Sequence, residues 1–263
     1  MLLSAFYIYL WVMTGIAVIT FIALYYVNAG YGILISQKWG KTMNNKLAWF
    51  FMELTIFVLM LVMWLSSPYR WELVPIVFLI IFQTHYLQRV FIFPFLMKGK
   101  SQMPIGIMLM GVSFNILNAF MQGYWIFHVA YLPDFPALFV QYGTAWFYSI
   151  PFIAGTILFI IGFIINLHSD YIIRHLRKDS SDTKHYFPKG GLFKYVTSAN
   201  YFGELIEWLG FAILTWSVSG LVFFIWTFAN LVPRAHSIHK RYREEFPEEF
   251  EGKNIKRVIP WIY

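Results

Sequence analysis

The chain has 263 residues, of which 59% are hydrophobic and only 13% are charged, with a formal net charge of +7. A soluble domain carries more charge, and several apolar runs are long enough to cross a bilayer, so the composition indicates an integral membrane protein. The absence of cysteine excludes disulfides, thiolate metal sites and cysteine nucleophiles.

Apolar runs predict seven transmembrane helices. They lie at about 5–28, 47–66, 72–97, 105–131, 143–167, 201–217 and 219–233. Each is close to the ~20 residues that a helix needs to cross the hydrocarbon core, although only a short break at 217–220 separates the last two. We therefore expect an all-α, polytopic fold in which residues 1–263 form one domain.

Lysines and arginines predict the orientation of these spans. Those on one side are Lys38, Lys41, Lys46, Lys98, Lys100, Arg174, Arg177, Lys178, Lys184, Lys189 and Lys194, joined by Arg234, Lys240, Arg241, Arg243, Lys253, Lys256 and Arg257 of the tail. The connections on the other side carry only Arg70. Because positive loops stay in the cytosol, the N-terminus is predicted outside and the C-terminus in the cytosol. The positive charge then reflects topology, so we expect contact with membrane lipid and no nucleic-acid partner.

Glu53 lies inside the second predicted span, in the run LAWFFMELTIFVLM. An ionised carboxylate that faces lipid at this depth costs about 3 kcal/mol or more, so Glu53 is expected to face the interior of the bundle. There a carboxylic acid can donate a hydrogen bond or a proton to the carbonyl group of a ligand. The alternative is a buried carboxyl group that only joins two helices.

A polar cluster, Gln83–Arg89, interrupts the third predicted span and includes His85 and Tyr86. Polar side chains in the middle of a span indicate an internal cavity. We identify Tyr86 as the partner of Glu53, because a phenol and a carboxyl group together can hold and polarise one carbonyl oxygen. Glu53 and Tyr86 are therefore the candidate catalytic residues.

Polar side chains also crowd the end of the fifth predicted span, in the run NLHSDYIIRHLRK. Asn166, Asp170, Arg174 and Arg177 recur at spacings of four, four and three residues, so they share one helical face and can converge on a phosphate-bearing ligand. The alternative is a charge-rich helix end whose long side chains reach the membrane surface.

The sixth predicted span is preceded by a turn-rich loop with Tyr186 and opens with the run NYFGELIEW. Asn200 and Glu204 are four residues apart and share a face with Glu207. Asn200 alone is equally explained as a helix N-cap, but a cap does not explain two glutamates that enter the membrane.

The run RAHSIHKRY starts at Arg234 and includes His236, His239 and Tyr242. Two histidines on one helix bind a metal only with further ligands, and no HExxH motif is present, so we expect no metal site. The chain also lacks GxGxxG and GxxxxGK[ST] motifs. Any nucleotide must therefore be held by side chains.

Together these motifs closely resemble the steroid 5-alpha-reductase family of membrane oxidoreductases. The similar runs over about 160–263 are NLHSDYIIRHLRK, YFPKGGLFKYVTSANYFGELIEWLGFAILTW, PRAHSIHKRY and VIPWIY. In the N-terminal half only WFFMEL, around Glu53, and HYLQR, around Tyr86, are similar. We expect a homologue of bacterial type.

The resemblance implies a seven-helix enzyme that reduces the Δ4 double bond of a 3-oxosteroid with NADPH. Glu53 and Tyr86 are implied to hydrogen-bond the C3 carbonyl, while the hydride goes to C5 and a proton to C4. Residues 1–140 are expected to lie mainly on the substrate side, and 141–263 to bind the cofactor. The implied cofactor-binding residues are Asn166, Asp170, Arg174, Arg177, Tyr186, Asn200, Glu204, Arg234, His239, Tyr242 and Arg257.

The chain departs from the family pattern at Met52, where glutamine is common, and at Phe187, where a basic residue is common. Ile238 replaces the first of two paired histidines, and Ile255 replaces an arginine. These changes concern substrate range and individual cofactor contacts rather than the reaction class.

Three other classes stay open. A related architecture reduces enoyl thioesters or polyprenols, or transfers a methyl group to a prenylcysteine carboxylate, and a receptor or transporter also has seven helices. The Glu53 and Tyr86 pair favours reduction of an enone over methyl transfer, and a receptor does not explain the clustered polar groups. We expect a monomer in the bacterial inner membrane or the endoplasmic reticulum, with its active site open to the cytosol.

Overall fold

Helices make up most of the computed structural model, which describes residues 2–27, 30, 32–35, 39–132, 142–179, 182 and 184–263. Its α-helices are α1 (Leu2–Tyr26), α2 (Asn45–Ser66), α3 (Leu73–Leu87), α4 (Phe93–Leu96), α5 (Ile105–Phe127), α6 (Ile150–His175), α7 (Ala199–Thr215) and α8 (Val218–Glu245). Short 3-10 turns lie at Gly32–Leu34, Val129–Tyr131, Thr144–Tyr148, Gly191–Lys194 and Pro247–Phe250. Two short strands, β1 (Thr42–Asn44) and β2 (Gln102–Pro104), pair antiparallel where α2 and α5 begin.

Six helical segments of the described chain are long and apolar enough to cross a membrane, at Leu3–Tyr26, Asn45–Ser66, Leu73–Leu96, Ile105–Tyr131, Ile150–His175 and Val218–Glu245. They confirm an all-α, polytopic membrane protein. The sixth predicted span corresponds to α7, which has 17 residues and packs between α6 and α8. The count of seven spans and their orientation stay predictions.

The fifth predicted span, 143–167, differs from α6 at both ends. α6 begins at Ile150, because the Ser149 side chain accepts a hydrogen bond from the Phe152 backbone N–H and a proline occupies the first turn. α6 then continues to His175, so the run from Asn166 to Arg174 is helical throughout. In the same way α8 continues past the predicted end at 233 to Glu245, which makes its last turns a charged helix.

A π-helical turn, Gln88–Ile92, joins α3 to α4 within one continuous span. Such turns place an extra residue in the helix and so redirect the side chains around them, and they are frequent at functional sites. Arg89 lies in this turn and is buried.

α6 and α7 lie antiparallel and unusually close, because glycines meet along their interface. A Cβ atom at Gly162 would lie 2.6 Å from the carbonyl oxygen of Gly203, and one at Gly155 would lie 2.7 Å from that of Gly210. Small residues allow helix backbones to approach in a membrane. The close approach sets Asn166 of α6 directly against the backbone of Gly203 in α7.

The remaining helices surround this pair: α1 packs along α8, and α2 packs along α5. Their shared core is rich in buried aromatic side chains, among them Phe82, Trp125, Trp208 and Phe211. The chain end returns to the start of α7, where the backbone N–H of Ser198 donates to the carbonyl of Arg257 at 3.0 Å.

Candidate active site

Arg89 is the centre of a buried polar network between α3, α6 and α7. Its guanidinium donates to Asp170 Oδ2 at 3.0 Å, to Asn166 Oδ1 at 3.2 Å and to Glu204 Oε2 at 3.1 Å. The Arg89 and Asp170 side chains are each only 8% exposed. Charged hydrogen bonds of this kind fix geometry, because each buried carboxylate depends on the same cation.

Asn200 completes this network from the first turn of α7. Its amide Nδ2 donates to Asp170 Oδ1 at 3.4 Å, and its backbone carbonyl accepts from Asn166 Nδ2 at 2.9 Å. Asn200 lies inside the first turn of α7, whose cap position is Ser198, so its side chain is not a helix N-cap. The structure thus brings together Asn166, Asp170, Asn200 and Glu204, which the sequence had grouped only within each helix.

Glu53 lies on α2 and is partly buried. Asn115 of α5 donates to the Met52 carbonyl at 2.7 Å and approaches Glu53 Oε2 at 3.5 Å. Glu53 also lies within electrostatic range of Arg89 and Glu204. Its carboxyl group therefore faces the helices that carry Asn115 and Arg89.

Tyr86 is buried in a box of aromatic rings, with ring centroids 4.8 Å from Phe82, 5.0 Å from His85 and 5.9 Å from Trp208. It lies within electrostatic range of Glu53. In the part of the chain that the structure describes, no hydrogen bond joins these two side chains. Both polar groups are thus available to a third partner, which is what shared recognition of one carbonyl oxygen requires.

A second buried pair lies beside Tyr86. His85 Nδ1 is 2.7 Å from Glu207 Oε1, and the two side chains are 4% and 0% exposed. The pair joins α3 to α7 next to Trp208, whose ring centroid is 4.7 Å from that of His85. It fixes the turn of α3 that carries Tyr86.

The loop after α6 gathers further predicted residues at the rim of the site. The Arg177 guanidinium donates to the Lys98 carbonyl at 3.3 Å, and the Lys98 ammonium donates to the Arg177 carbonyl at 3.0 Å. Arg174 lies over the Tyr171 ring, 5.7 Å from its centroid. The two hydrogen bonds hold Arg177 against Lys98, in the connection that follows α4.

Tyr186 is exposed, and its hydroxyl donates to Asp182 Oδ2 at 2.9 Å. This hydrogen bond raises the pKa of the Tyr186 phenol above its usual value. The pKa of Asp182 is lowered, first by the backbone N–H of Lys184 and then by Tyr186. Because a phenol has a single proton to donate, Tyr186 can donate to a ligand only in place of Asp182.

Arg234 and Tyr242 lie on one face of α8. The Arg234 Nε donates to the Tyr201 hydroxyl at 2.7 Å, which directs Arg234 toward the start of α7. The Tyr242 ring packs against Phe187, with centroids 5.4 Å apart. Phe187, one of the departures from the family pattern, thus has a packing role here.

His239 and Arg257 lie elsewhere. His239 Nδ1 is 3.4 Å from the Thr197 hydroxyl, and the Arg257 guanidinium lies over the Tyr263 ring, 4.5 Å from its centroid. Both line a surface pocket on the far side of α8 from Arg234. The structure therefore separates these two residues from the Arg89 network.

Sequence reasoning missed three parts of the site: the central role of Arg89, the contact of Asn115 with Glu53, and the pairing of His85 with Glu207. Each had a signal, since a lone arginine, amide or histidine inside a span requires a buried partner. Spacing along one helix identifies residues on one face, but it does not identify the facing helix. Among the described residues no cluster of histidine and carboxylate side chains suits a metal ion.

Apolar helices that enclose a buried charge network define a polytopic membrane protein. Residues 101–263 match the sequence model of the family described as 3-oxo-5-alpha-steroid 4-dehydrogenase. The chain belongs to this family, which confirms the resemblance and makes the protein an oxidoreductase of steroid metabolism.

Similar relatives come from plants and mammals. A tomato (Solanum lycopersicum) steroid 5-alpha-reductase DET2 is 36% identical over 93% of this chain and 91% of its own length. The mouse (Mus musculus) 3-oxo-5-alpha-steroid 4-dehydrogenase 1 is 35% identical over 94% of this chain and 92% of its own length. The human (Homo sapiens) protein of the same name is 38% identical over 71% of this chain and 67% of its own length. These relatives do not bear on the expected bacterial type.

Proposed function

We propose that the protein reduces the Δ4 double bond of a 3-oxo-Δ4 steroid to give the 5-alpha-3-oxosteroid, with hydride to C5 and a proton to C4. The observation that carries this proposal is the placement of Glu53 and Tyr86. They come from different helices, lie within electrostatic range of each other and share no hydrogen bond. A carbonyl oxygen between them accepts two hydrogen bonds, which withdraw electrons from the conjugated double bond.

The network around Arg89 fits a nicotinamide cofactor. It offers amide and carboxylate groups at the interior end, and cations at the rim, where a pyrophosphate and a 2′-phosphate need them. NADPH, when bound, supplies the hydride. The proposed contacts are Asn166, Asp170, Arg174, Arg177, Tyr186, Asn200, Glu204, Arg234 and Tyr242.

The roles of these side chains follow from their places. Asn200 and Asn166 place side-chain amides next to Arg89, where they can orient the carboxamide group of the nicotinamide ring. Arg177 lies just beyond the end of α6, where a phosphate remains close to water, whereas Arg234 lies within α8 and is buried. His239 and Arg257, also predicted as cofactor contacts, line a surface pocket beside the charged end of α8.

The order of the proposed site residues along the chain supports the same proposal. Glu53 and Tyr86 precede residue 140, and the proposed cofactor contacts follow it, although Arg89 of the first part holds the carboxylates of the second. The boundary itself, at 140–141, lies outside the described residues. We propose a monomeric enzyme whose active site opens to the cytosol.

An assay of membranes that contain the protein tests this function. NADPH is supplied with matched panels of 3-oxo-Δ4 steroids, enoyl-CoA thioesters and polyprenols, and products are identified by mass spectrometry. We expect reduction of the steroids at the 4,5 bond only. Reduction of another class alone contradicts the substrate assignment, and transfer of a methyl group from S-adenosylmethionine to a prenylcysteine contradicts the reaction class.

A further inference from the structure

A pocket of about 320 Å³ opens on the surface beside the charged end of α8. It is lined by His236, His239, Lys240, Arg243, Glu244 and Arg257, and we call it the basic pocket. One carboxylate faces three permanent cations and two histidines, so the basic pocket is suited to an anion. Its volume is within the range of small-ligand sites.

The basic pocket and the proposed cofactor contacts occupy opposite faces of α8. Residues 236, 239, 240 and 243 recur at spacings of three and four, so they form one face of the helix. Arg234, Arg241 and Tyr242 form the other, where Arg241 donates to the Ile33 carbonyl and Tyr242 packs on Phe187. A ligand held by Arg234 and Tyr242 therefore does not reach the basic pocket without passing around a helix about 10 Å wide.

Two buried nitrogen atoms in the basic pocket lack hydrogen-bond partners among the described residues. They are Nδ1 of His236 and Nε of Arg257. A buried polar atom without a partner costs free energy, so it calls for a bound group that satisfies it. Exposed lysines and arginines are expected on the cytosolic side of any membrane protein. Buried nitrogen atoms without partners, next to a cavity, are not expected from membrane topology alone.

The surroundings of the basic pocket indicate the level of the lipid headgroups. The ring of Tyr25, at the end of α1, lies 5.5 Å from that of His236, and its hydroxyl is 3.1 Å from that of Tyr263. Trp261 and Ile262, which precede Tyr263 in the chain, are 74% and 76% exposed. Tryptophan and tyrosine concentrate where a membrane meets water, and basic pockets between helices at that level bind anionic headgroups.

We propose that the basic pocket binds a phosphate group, and that its source is the headgroup of an anionic phospholipid. The phosphate oxygens accept hydrogen bonds from the buried nitrogens of His236 and Arg257, while Lys240 and Arg243 supply charge at the mouth. This site is independent of the proposed reductase activity. It is tested by lipid binding, without turnover.

The test uses the full-length protein in micelles of an uncharged detergent. Phosphatidic acid, phosphatidylcholine with the same acyl chains, and inorganic phosphate are added separately, and bound lipid is measured by native mass spectrometry alongside the thermal unfolding midpoint. The double variant Lys240→Gln with Arg243→Gln removes two charges from the basic pocket. The matched control, Lys194→Gln with Lys253→Gln, removes two charges from the same side of the protein outside it.

We expect phosphatidic acid, and not phosphatidylcholine, to bind and to raise the unfolding midpoint. The pocket variant should bind phosphatidic acid roughly tenfold or more weakly, because charged hydrogen bonds dominate such sites, and the control should bind it normally. An equal effect of inorganic phosphate supports the phosphate site but assigns it a soluble ligand. Equal loss in both variants, or no response to any probe, overturns the site.

A kinetic measurement separates this site from the cofactor site. The KM for NADPH should be the same in the pocket variant and in the control. A tenfold rise confined to the pocket variant overturns the lipid assignment and gives the basic pocket to the cofactor. Absence of any reductase activity contradicts the proposed function alone and leaves the lipid measurement unaffected.

Discussion

Arg89 carries more of the site than any other single side chain, because one buried carboxylate, one partly buried carboxylate and one amide depend on it. Replacement by methionine keeps an unbranched apolar stem but removes the guanidinium, which leaves Asp170 and Glu204 without their cation. We expect the free energy of unfolding to fall by about 3–5 kcal/mol, the usual effect of breaking a buried ion pair. NADPH affinity should fall with it, because Asn166 and Asp170 lose their fixed positions.

Arg89→Lys is the matched variant, since it keeps the charge and loses the planar fork that reaches several acceptors. It should recover much of the stability and less of the NADPH affinity. Denaturant unfolding in micelles and direct NADPH titration measure the two effects. Unchanged unfolding of Arg89→Met contradicts the central role of the arginine.

Glu53 and Tyr86 make a separate prediction about turnover. Glu53→Gln and Tyr86→Phe should each lower kcat by about 10²-fold or more, because the first replaces an acidic O–H with a weaker amide donor and the second removes the phenol O–H. NADPH binding should remain largely intact, since neither side chain is proposed to hold the cofactor. Steady-state kinetics and NADPH titration of the purified variants test this.

Tyr148→Phe is the control for Tyr86→Phe, because Tyr148 is 85% exposed and far from the proposed site in the chain. It should have normal kcat. Loss of NADPH binding with normal turnover at saturating cofactor, in either active-site variant, means that the assigned roles are wrong.

The residues of the site could be predicted from the sequence better than their partners. A carboxyl group at Glu53 and a polar cluster at Tyr86 are visible because lipid excludes charge. The contacts from Arg89 to α6 and α7 join residues that are 77 to 115 positions apart. These contacts depend on how whole helices pack. In helices that are apolar on every side, the spacing of apolar residues does not indicate which face packs against a neighbour.

At the scale of elements, the contact between α6 and α7 positions the cofactor residues. A Cβ atom at Gly162 would overlap the backbone of α7 at Gly203 and Glu207. Gly162→Ala should therefore push the helices apart and destabilise the protein by about 1–3 kcal/mol, the usual cost of overpacking. Because Asn166 follows one turn later, the KM for NADPH should rise as well.

Gly15→Ala in α1 is the control for this substitution, because nothing lies within 4 Å of a Cβ atom at that position. It should be neutral, or slightly stabilising through the better helix propensity of alanine. Thermal unfolding and NADPH kinetics of the two variants give the comparison. Equal behaviour of Gly162→Ala and Gly15→Ala means that the close contact of α6 with α7 is not needed.

Helix positions could be predicted from hydropathy, and helix ends could not. The runs at 47–66 and 105–131 agree closely with α2 and α5, since apolar length is what a bilayer selects. α8 continues beyond the apolar part because lysine, arginine and glutamate are good helix formers. α6 also continues, and its last turns carry Asp170, which pairs with Arg89. The predicted start at 143 failed because a capping serine and a proline begin α6 later.

At the scale of the whole molecule, the cation asymmetry predicts topology. A reporter fused after Tyr263 should be cytosolic, and one inserted near Asp134 should lie on the opposite side of the membrane. Asp134 lies in 133–141, outside the described residues. Protease protection of the two fusions in sealed vesicles is the measurement. Reporters on the same side contradict the odd number of spans, and the short α7 is where such an error would arise.

Cofactor choice is also a property of the whole charge distribution. NADPH differs from NADH by a 2′-phosphate, and without a glycine-rich nucleotide loop its charge must be met by side chains such as Arg177 and Arg234. Arg177 and Lys98 hold each other in place at the rim. A few charged hydrogen bonds should give NADPH a preference of roughly tenfold to several hundredfold in kcat/KM, and added salt should reduce it if the phosphate remains near water.

Single variants locate the source of this preference. Arg177→Ala and Arg234→Ala should raise the KM for NADPH more than the KM for the steroid, and should bring the NADPH and NADH values closer together, because the missing charge acts only on the phosphate. Lys194→Ala removes an exposed cation from the same predicted side and should leave the ratio unchanged. Equal kcat/KM for NADH and NADPH in the unmodified protein refutes the charge argument, since no set of cations could then be selecting the 2′-phosphate.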